Sequence, residues 1–369
     1  MKKRMLIAAW LIIVCVPCFL NAAPPPIPNL ADWEGFMKDN KNMVAEQPEH
    51  ADCEKMKEQK QESNLWYYDG IRIFHQIAQY TKDDSWLKVS AKCRDYFRDD
   101  YVIGCVKYST PPWRNFTLGL YYDWTKLHDE ISKDTALKMA RQGKYAQALH
   151  DKDLADWTSK PDAVDHSRKI AYCIEAWHVA RDLGAADFAG RDPYLDVAYF
   201  QLDTWNIFLT GFPGSTYPGE KTQQYQPFMF ALTAEALIRV YERPDTAQGD
   251  KDKILRKIKD LAKLTYDKLY SDAEHGFMSN TANPTVFWGS IDLLIVPVYG
   301  WLWHVTGEQY FLDAGDKIWK NWAVVSWPKY AGKSGTGKQF SQNYRWSFEY
   351  VRWRSVDPVT VAPPPPAAK

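Results

Sequence analysis

The sequence predicts an all-α fold of six helical hairpins closed into a ring, an (α/α)6 toroid. Three observations point there. First, a turn signature recurs: residues 79–92 read QYTKDDSWLKVSAK and residues 304–317 read HVTGEQYFLDAGDK. Each is a helix end, a tight polar turn, an aromatic, a leucine and the start of another helix. RDLGAADFAGRDPYLDVAYFQLDTW (181–205) is a looser third copy, with Gly184 as the stop and Pro193 at the next start. Second, the period-2 alternation of half-buried strands is scarce. Third, one helix at each end of the pattern lacks a partner.

Taken in order, a helix over Leu30–Ala45 has no partner before it. First helices of the hairpins then begin near Leu65, Asn115, Asp165, Gln226, Ser290 and Ser341, and partner helices near Asp84, Ser132, Asp192, Lys251 and Gly307. The sixth first helix has nothing after it, so Leu30–Ala45 closes the ring. A linear solenoid is the alternative, but it needs polar capping repeats, and none is present. Residues 1–22 read as a secretory signal peptide: Lys2, Lys3 and Arg4, then an apolar run, then Ala22 and Ala23. A proline-rich linker (23–29), one toroid domain (30–355) and a proline-rich tail (356–369) complete the expected organisation. The protein is expected in the periplasm or secreted, without a membrane anchor, as a monomer.

The leader takes three basic and no acidic residues, leaving the rest with three acids in excess. That balance argues against nucleic acid and anionic membranes as partners. Aromatics make up 15% of the chain, more than a core requires, and surplus Trp and Tyr suit the flat faces of sugars. Export permits disulfides. Cys53 is expected to pair with Cys93 or Cys105, because a helix between the latter two holds them apart. Cys173 falls mid-helix and reads as a small buried thiol. No zinc spacing, phosphate loop or EF-hand is present, so no metal or cofactor is expected.

The stretch GKQFSQNYRWSFEYVRWRS (337–355) interleaves aromatics with charges, which suits neither a buried nor a solvated helix. An inner helix whose start faces a wet cleft would accept both. Polar–aromatic clusters precede every first helix, and helix starts sharing one face would converge on one cleft with free N–H groups. The candidates there are Trp66, Tyr67, Asp69, Trp113, His166, Arg168, Tyr172, Gln226, Trp288, Asp292, Asn343, Tyr344 and Arg345. Arg345, Glu349 and Arg352 would form one stripe along the last helix. The plain structural readings are an ion ladder for that stripe, helix caps for the aspartates and His166, and core packing for the tryptophans.

LGLYYDWTKLHDEIS (118–132) resembles a hairpin of heparinase II/III-like and alginate-lyase-like toroids, and the stretches at 167–184 and 337–353 are similar to exported bacterial proteins of toroid type. The resemblance implies an oligo- or polysaccharide ligand and a lyase site in which Asn and Arg neutralise a uronate carboxylate while Tyr and His move protons. Arg168, Asn343 and Arg345 match the first role; Tyr344 or His166 match the base, and Tyr172 the acid. Trp66, Tyr67, Asp69, Trp113, Gln226, Trp288, Asp292, Glu349 and Arg352 would contact substrate. A six-hairpin glycoside hydrolase is the alternative, drawing two carboxylates from Asp69, Asp165, Asp292 and Glu349. A third reading is a glycan-binding toroid without chemistry. A carboxylate pair across the cleft favours hydrolysis; an Arg/Asn cradle beside Tyr and His favours elimination.

Overall fold

The computed structural model describes residues 24–42, 53, 65–144, 146, 167–215, 225–322 and 336–358. The fold is all-α. Helix α1 (Leu30–Asp39) is followed by α2 (Gly70–Thr81) with α3 (Ser85–Arg94), α4 (Leu118–Leu127) with α5 (Glu130–Gln142), α6 (Ser167–Asp182) with α7 (Tyr194–Gly211), α8 (Pro227–Glu242) with α9 (Gln248–Leu269), and α10 (Asp292–Thr306) with α11 (Gln309–Asn321). Two short helices, α12 (Thr336–Tyr344) and α13 (Ser347–Arg354), end the series. Among the described residues the sheet content is one small antiparallel hairpin, β1 (Tyr270–Ser271) with β2 (Gly276–Phe277).

The two helices of each pair pack on one another, and each first helix also touches the next. α2 packs on α4, α4 on α6, α6 on α8, α8 on α10, α10 on both α12 and α13, and α12 on α2. Burial separates the two sets. α2, α6, α8 and α10 are buried on nearly every side; α10 runs from Asp292 to Trp303 without an exposed residue. α9 and α11 bury one stripe and present Lys and Asp on the other, as a helix does at a core–water boundary.

Local chemistry explains the boundaries. Asp129 accepts from the Ser132 amide at 2.9 Å and so caps α5. Pro227 opens α8, where a missing N–H costs nothing. Gly307, in the left-handed region, closes α10. α3 runs on without a break into a wider π-helix, Asp95–Cys105, whose last residue is bonded to Cys53 in a disulfide with Cα atoms 5.5 Å apart. Cys93 and Cys173 are free and buried.

α1 packs against the end of the chain. Trp33 Nε1 donates to Ser347 Oγ at 3.2 Å, and the Tyr344 hydroxyl donates to the Trp33 carbonyl at 2.7 Å. Trp33 also meets the rings of Tyr80, Trp319, Tyr344 and Phe348. The expected Arg345–Glu349–Arg352 stripe does not form. The last helix breaks at Arg345–Trp346, so Arg345 turns into the core, while Arg352 is half-exposed and pairs with Glu349 at 2.5 Å and with Glu242 at 3.1 Å. No described helix is long and apolar enough to cross a membrane. The proposed leader lies outside the described residues.

Candidate functional site

The site begins in a strained turn. Tyr68 and Asp69, just before α2, both adopt left-handed backbone angles (φ 66° and 71°), unfavourable for side chains with a Cβ. The turn aims two groups inward. The Tyr68 carbonyl accepts from Arg345 Nη1 at 3.3 Å, and Asp69 Oδ2 accepts from the Gly119 amide at 2.9 Å where α2 and α4 approach closely. Burial raises the Asp69 pKa above its ordinary value, against the pull of Arg72 and Arg345.

Arg345 is wholly buried and holds two glutamates. Its Nε donates to Glu235 Oε2 at 2.7 Å and its Nη2 to Glu175 Oε1 at 2.9 Å. Arg72 Nη1 donates to Glu235 Oε1 at 2.6 Å, and the Arg345 guanidinium lies 4.9 Å from the centre of the Tyr172 ring. Helices α2, α6, α8 and the α12–α13 break thus each contribute a charge to one lattice. The two glutamates diverge. Burial raises Glu235, but Arg345, Arg72 and Arg239 together outweigh it and bring its carboxyl down to about 2. Burial pushes Glu175 up, and Arg345 offsets this only in part.

Glu175 also faces a cleft of about 280 Å³ lined by α4, α6 and α8. Glu175, His178 and Asp182 line it at i, i+3 and i+7 of α6, Arg239 and Glu242 come from the last turns of α8, and Tyr121 and Tyr122 form the α4 wall. Most charges here are paired: Asp182 with Arg243 at 2.8 Å, Glu242 with Arg352. Arg239 is not satisfied. Its nearest carboxylate oxygen, Glu235 Oε1, is 3.8 Å away and already bonded to Arg72, and its Nε has no hydrogen-bond partner. His178 Nε2 lies 3.3 Å from Asp192 Oδ2 but without hydrogen-bond alignment. Burial, then Asp182, raises the Tyr121 hydroxyl above its ordinary value, so it stays protonated at neutral pH.

A cavity of about 320 Å³ lies on the other face of α6, walled by Ala140, Ala176, Trp177 and Phe188. Its walls are apolar and its charges, Arg141 and Asp187, pair at 2.8 Å, so it offers less chemistry despite its size.

Of the residues singled out in the sequence, Asp69, Tyr172 and Arg345 meet in the lattice. Arg168 is half-buried in the first turn of α6, where its charge reaches Tyr172. Asn343 is buried with its side-chain oxygen unpartnered. His166 lies outside the described residues. Tyr344 stands apart: its hydroxyl is spent on the Trp33 carbonyl and its ring packs on Trp33, Phe36 and Phe340, which makes it a packing residue. Arg345, engaged by two glutamates, has no free edge for a substrate carboxylate. Trp66 and Tyr67 are core: Trp66 stacks on Tyr96 and Phe97, and Tyr67 meets Phe116 edge-on. Trp113 lies under Lys169, Gln226 is the half-buried cap of α8, and Trp288 is 42% exposed. Asp292 is fully buried at the start of α10, near the Phe277 backbone and away from the lattice; burial raises its pKa well above 3.8. Glu349 and Arg352 pair on the surface.

Arg72, Tyr122, Glu175, His178, Glu235 and Arg239 are not among the candidates the sequence offers. The signal was there: GIRIF, IAYCIEAWHVA and LTAEALIRV each embed a charge in an otherwise apolar run. Such residues are rarely buried unless paired. Comparison with known proteins finds no matching family model, no matching curated protein and no matching solved structure.

Proposed function

We propose that the hairpins form an (α/α)6 toroid and that the protein is an exported carbohydrate-active enzyme, a polysaccharide lyase acting on a uronate-containing glycan from the cavity between α4, α6 and α8. One observation carries the reaction class: an arginine short of partners, Arg239, shares a cavity with Tyr121, Tyr122 and His178. The order of helix contacts and the packing of α1 against the last hairpin support the ring.

β-Elimination fits that set. Arg239 takes the uronate carboxylate on its open edge and lowers the cost of charge that develops when the C5 proton leaves. Tyr122, acting as the phenolate beside the Arg239 charge, is the base: it takes the C5 proton and becomes the phenol. The C5 electron pair forms the C4=C5 bond, the C4–O bond breaks, and Tyr121 gives its proton to the departing oxygen. The lattice behind makes Arg239 available: Arg72 and Arg345 already satisfy Glu235, so its charge holds Arg239 in place without occupying it. Hydrolysis suits the geometry less well, because the buried carboxylate pair, Glu175 and Glu235, is tied to one guanidinium instead of facing across open space.

Purified protein should be screened on a polysaccharide panel with absorbance at about 235 nm and reducing ends read together; an unsaturated uronide gives both. Arg239→Gln should lower kcat/KM roughly 100-fold or more, as expected for removing a group that stabilises transition-state charge. Reducing ends without absorbance would replace elimination with hydrolysis.

A further inference from the structure

Behind the Tyr122 wall lies a buried pair that the proposed reaction does not use. His75 of α2 and Asp123 of α4 are hydrogen-bonded, Nε2 to Oδ1, at 2.7 Å, and neither is more than 6% exposed. The other Asp123 oxygen accepts from Ser132 Oγ at 3.4 Å. Ser132 Oγ accepts in turn from Arg98 Nη1 at 2.9 Å, and the same nitrogen donates to Asp129 Oδ2 at 2.8 Å. Asp129 is the cap of α5, so Asp123 is anchored to the start of its partner helix.

The imidazole does a second thing. It lies against the Tyr122 ring, with centroids 6.1 Å apart and planes 28° from parallel. Tyr122 and Asp123 are consecutive on α4 and diverge by about 100°. His75 fills the angle between them, bonded to one and stacked on the other. Resting on the lyase reading, we propose that the His75–Asp123 pair is a positioning device for Tyr122: Asp123 fixes the plane of the imidazole, and that plane fixes where the phenol stands relative to Arg239. The rings are offset and near-parallel with no hydrogen bond between them, so no proton passes along the contact. The pair acts through shape and orientation, as an ordered second layer behind a reacting group does.

Two readouts test this. The first is the ring carbon resonance of Tyr122 in 13C-tyrosine-labelled protein, assigned by its loss in Tyr122→Phe. The second is the split between kcat and KM on whichever glycan is cleaved. Asp123→Asn and His75→Ala should shift or broaden the Tyr122 resonance and lower kcat roughly 10- to 100-fold with KM nearly unchanged, the scale of a small misplacement. Removing one partner of a buried pair threatens folding, so the double variant His75→Phe/Asp123→Leu is the decisive one: it keeps a flat ring and leaves no carboxylate unpaired. Recovery of the resonance and most of the rate supports positioning. An unmoved Tyr122 resonance in His75→Ala overturns it, and so does a double variant with a native resonance but no rate, since the imidazole would then move a proton. The resonance does not depend on turnover. A shifted resonance in a protein that cleaves no glycan sinks the lyase reading and leaves the positioning role standing; elimination activity indifferent to the pair does the reverse.

Discussion

Arg345 is the residue on which most depends. Its guanidinium binds Glu235, Glu175 and the Tyr68 carbonyl without touching water. Arg345→Met would leave two buried carboxylates short of their main partner, and urea unfolding should show a loss of about 3–5 kcal/mol. Glu235 and Asp292 should impose opposite pH dependences. The Glu235 carboxyl is held at about 2 against an ordinary 4.5, so its contribution is complete above the ordinary value and disappears as the pH falls toward 2. Asp292 is raised well above 3.8, so the native state keeps a proton the unfolded chain releases, and stability declines as the pH climbs past 3.8. Asp292→Asn should therefore raise the melting temperature at pH 7 and change it little at pH 3. A variant equally stabilised at both pH values would show that ionisation is not the cause.

At the scale of helices, the contact of α2 with α4 is the tightest point of the site's scaffold. The Gly119 amide donates to Asp69, and a methyl group at Gly119 would collide with that carboxyl and stand 2.6 Å from Ile71 Cβ. Gly119→Ala should cost about 1–3 kcal/mol, read as a lowered melting temperature, because neither helix backbone can yield cheaply. Helix starts were the most legible feature of the sequence: Asp84 against Ser85, Gln226 against Pro227, Ser290 against Asp292. Turn and cap chemistry is local, so a single sequence contains it. The break at Arg345–Trp346 was not legible, since no proline or glycine announces it; the demand for a guanidinium comes from Glu175 and Glu235, distant in sequence. The same blindness applies to the buried lattice. Attention to helix starts found Asp69 and Tyr172 but missed Glu235 and Arg239, a pair four residues apart in the body of α8.

Across the whole molecule, long-range links tie the chain together, and two of them have separate consequences. The Cys53–Cys105 disulfide closes a loop of sequence separation 52, for which chain entropy suggests about 4 kcal/mol. Thermal melts with and without reductant should differ accordingly, and Cys105→Ser should reproduce the reduced curve. The second link is noncovalent: Trp33 meets Ser347 across a sequence separation of 314. A contact of that span is slow to form, since the intervening chain must be ordered first. Its consequence falls on biosynthesis. Helix α1 precedes the rest of the fold, yet Trp33 and Phe36 complete their cover only when Phe340, Tyr344 and Phe348 have been translated. A chain that stops short keeps this aromatic face in water as a ready target for proteases, so pulse-chase labelling of a version halted after residue 335 should show rapid clearance beside a persistent full-length product. Completion of the chain is then what conceals this part of the aromatic face.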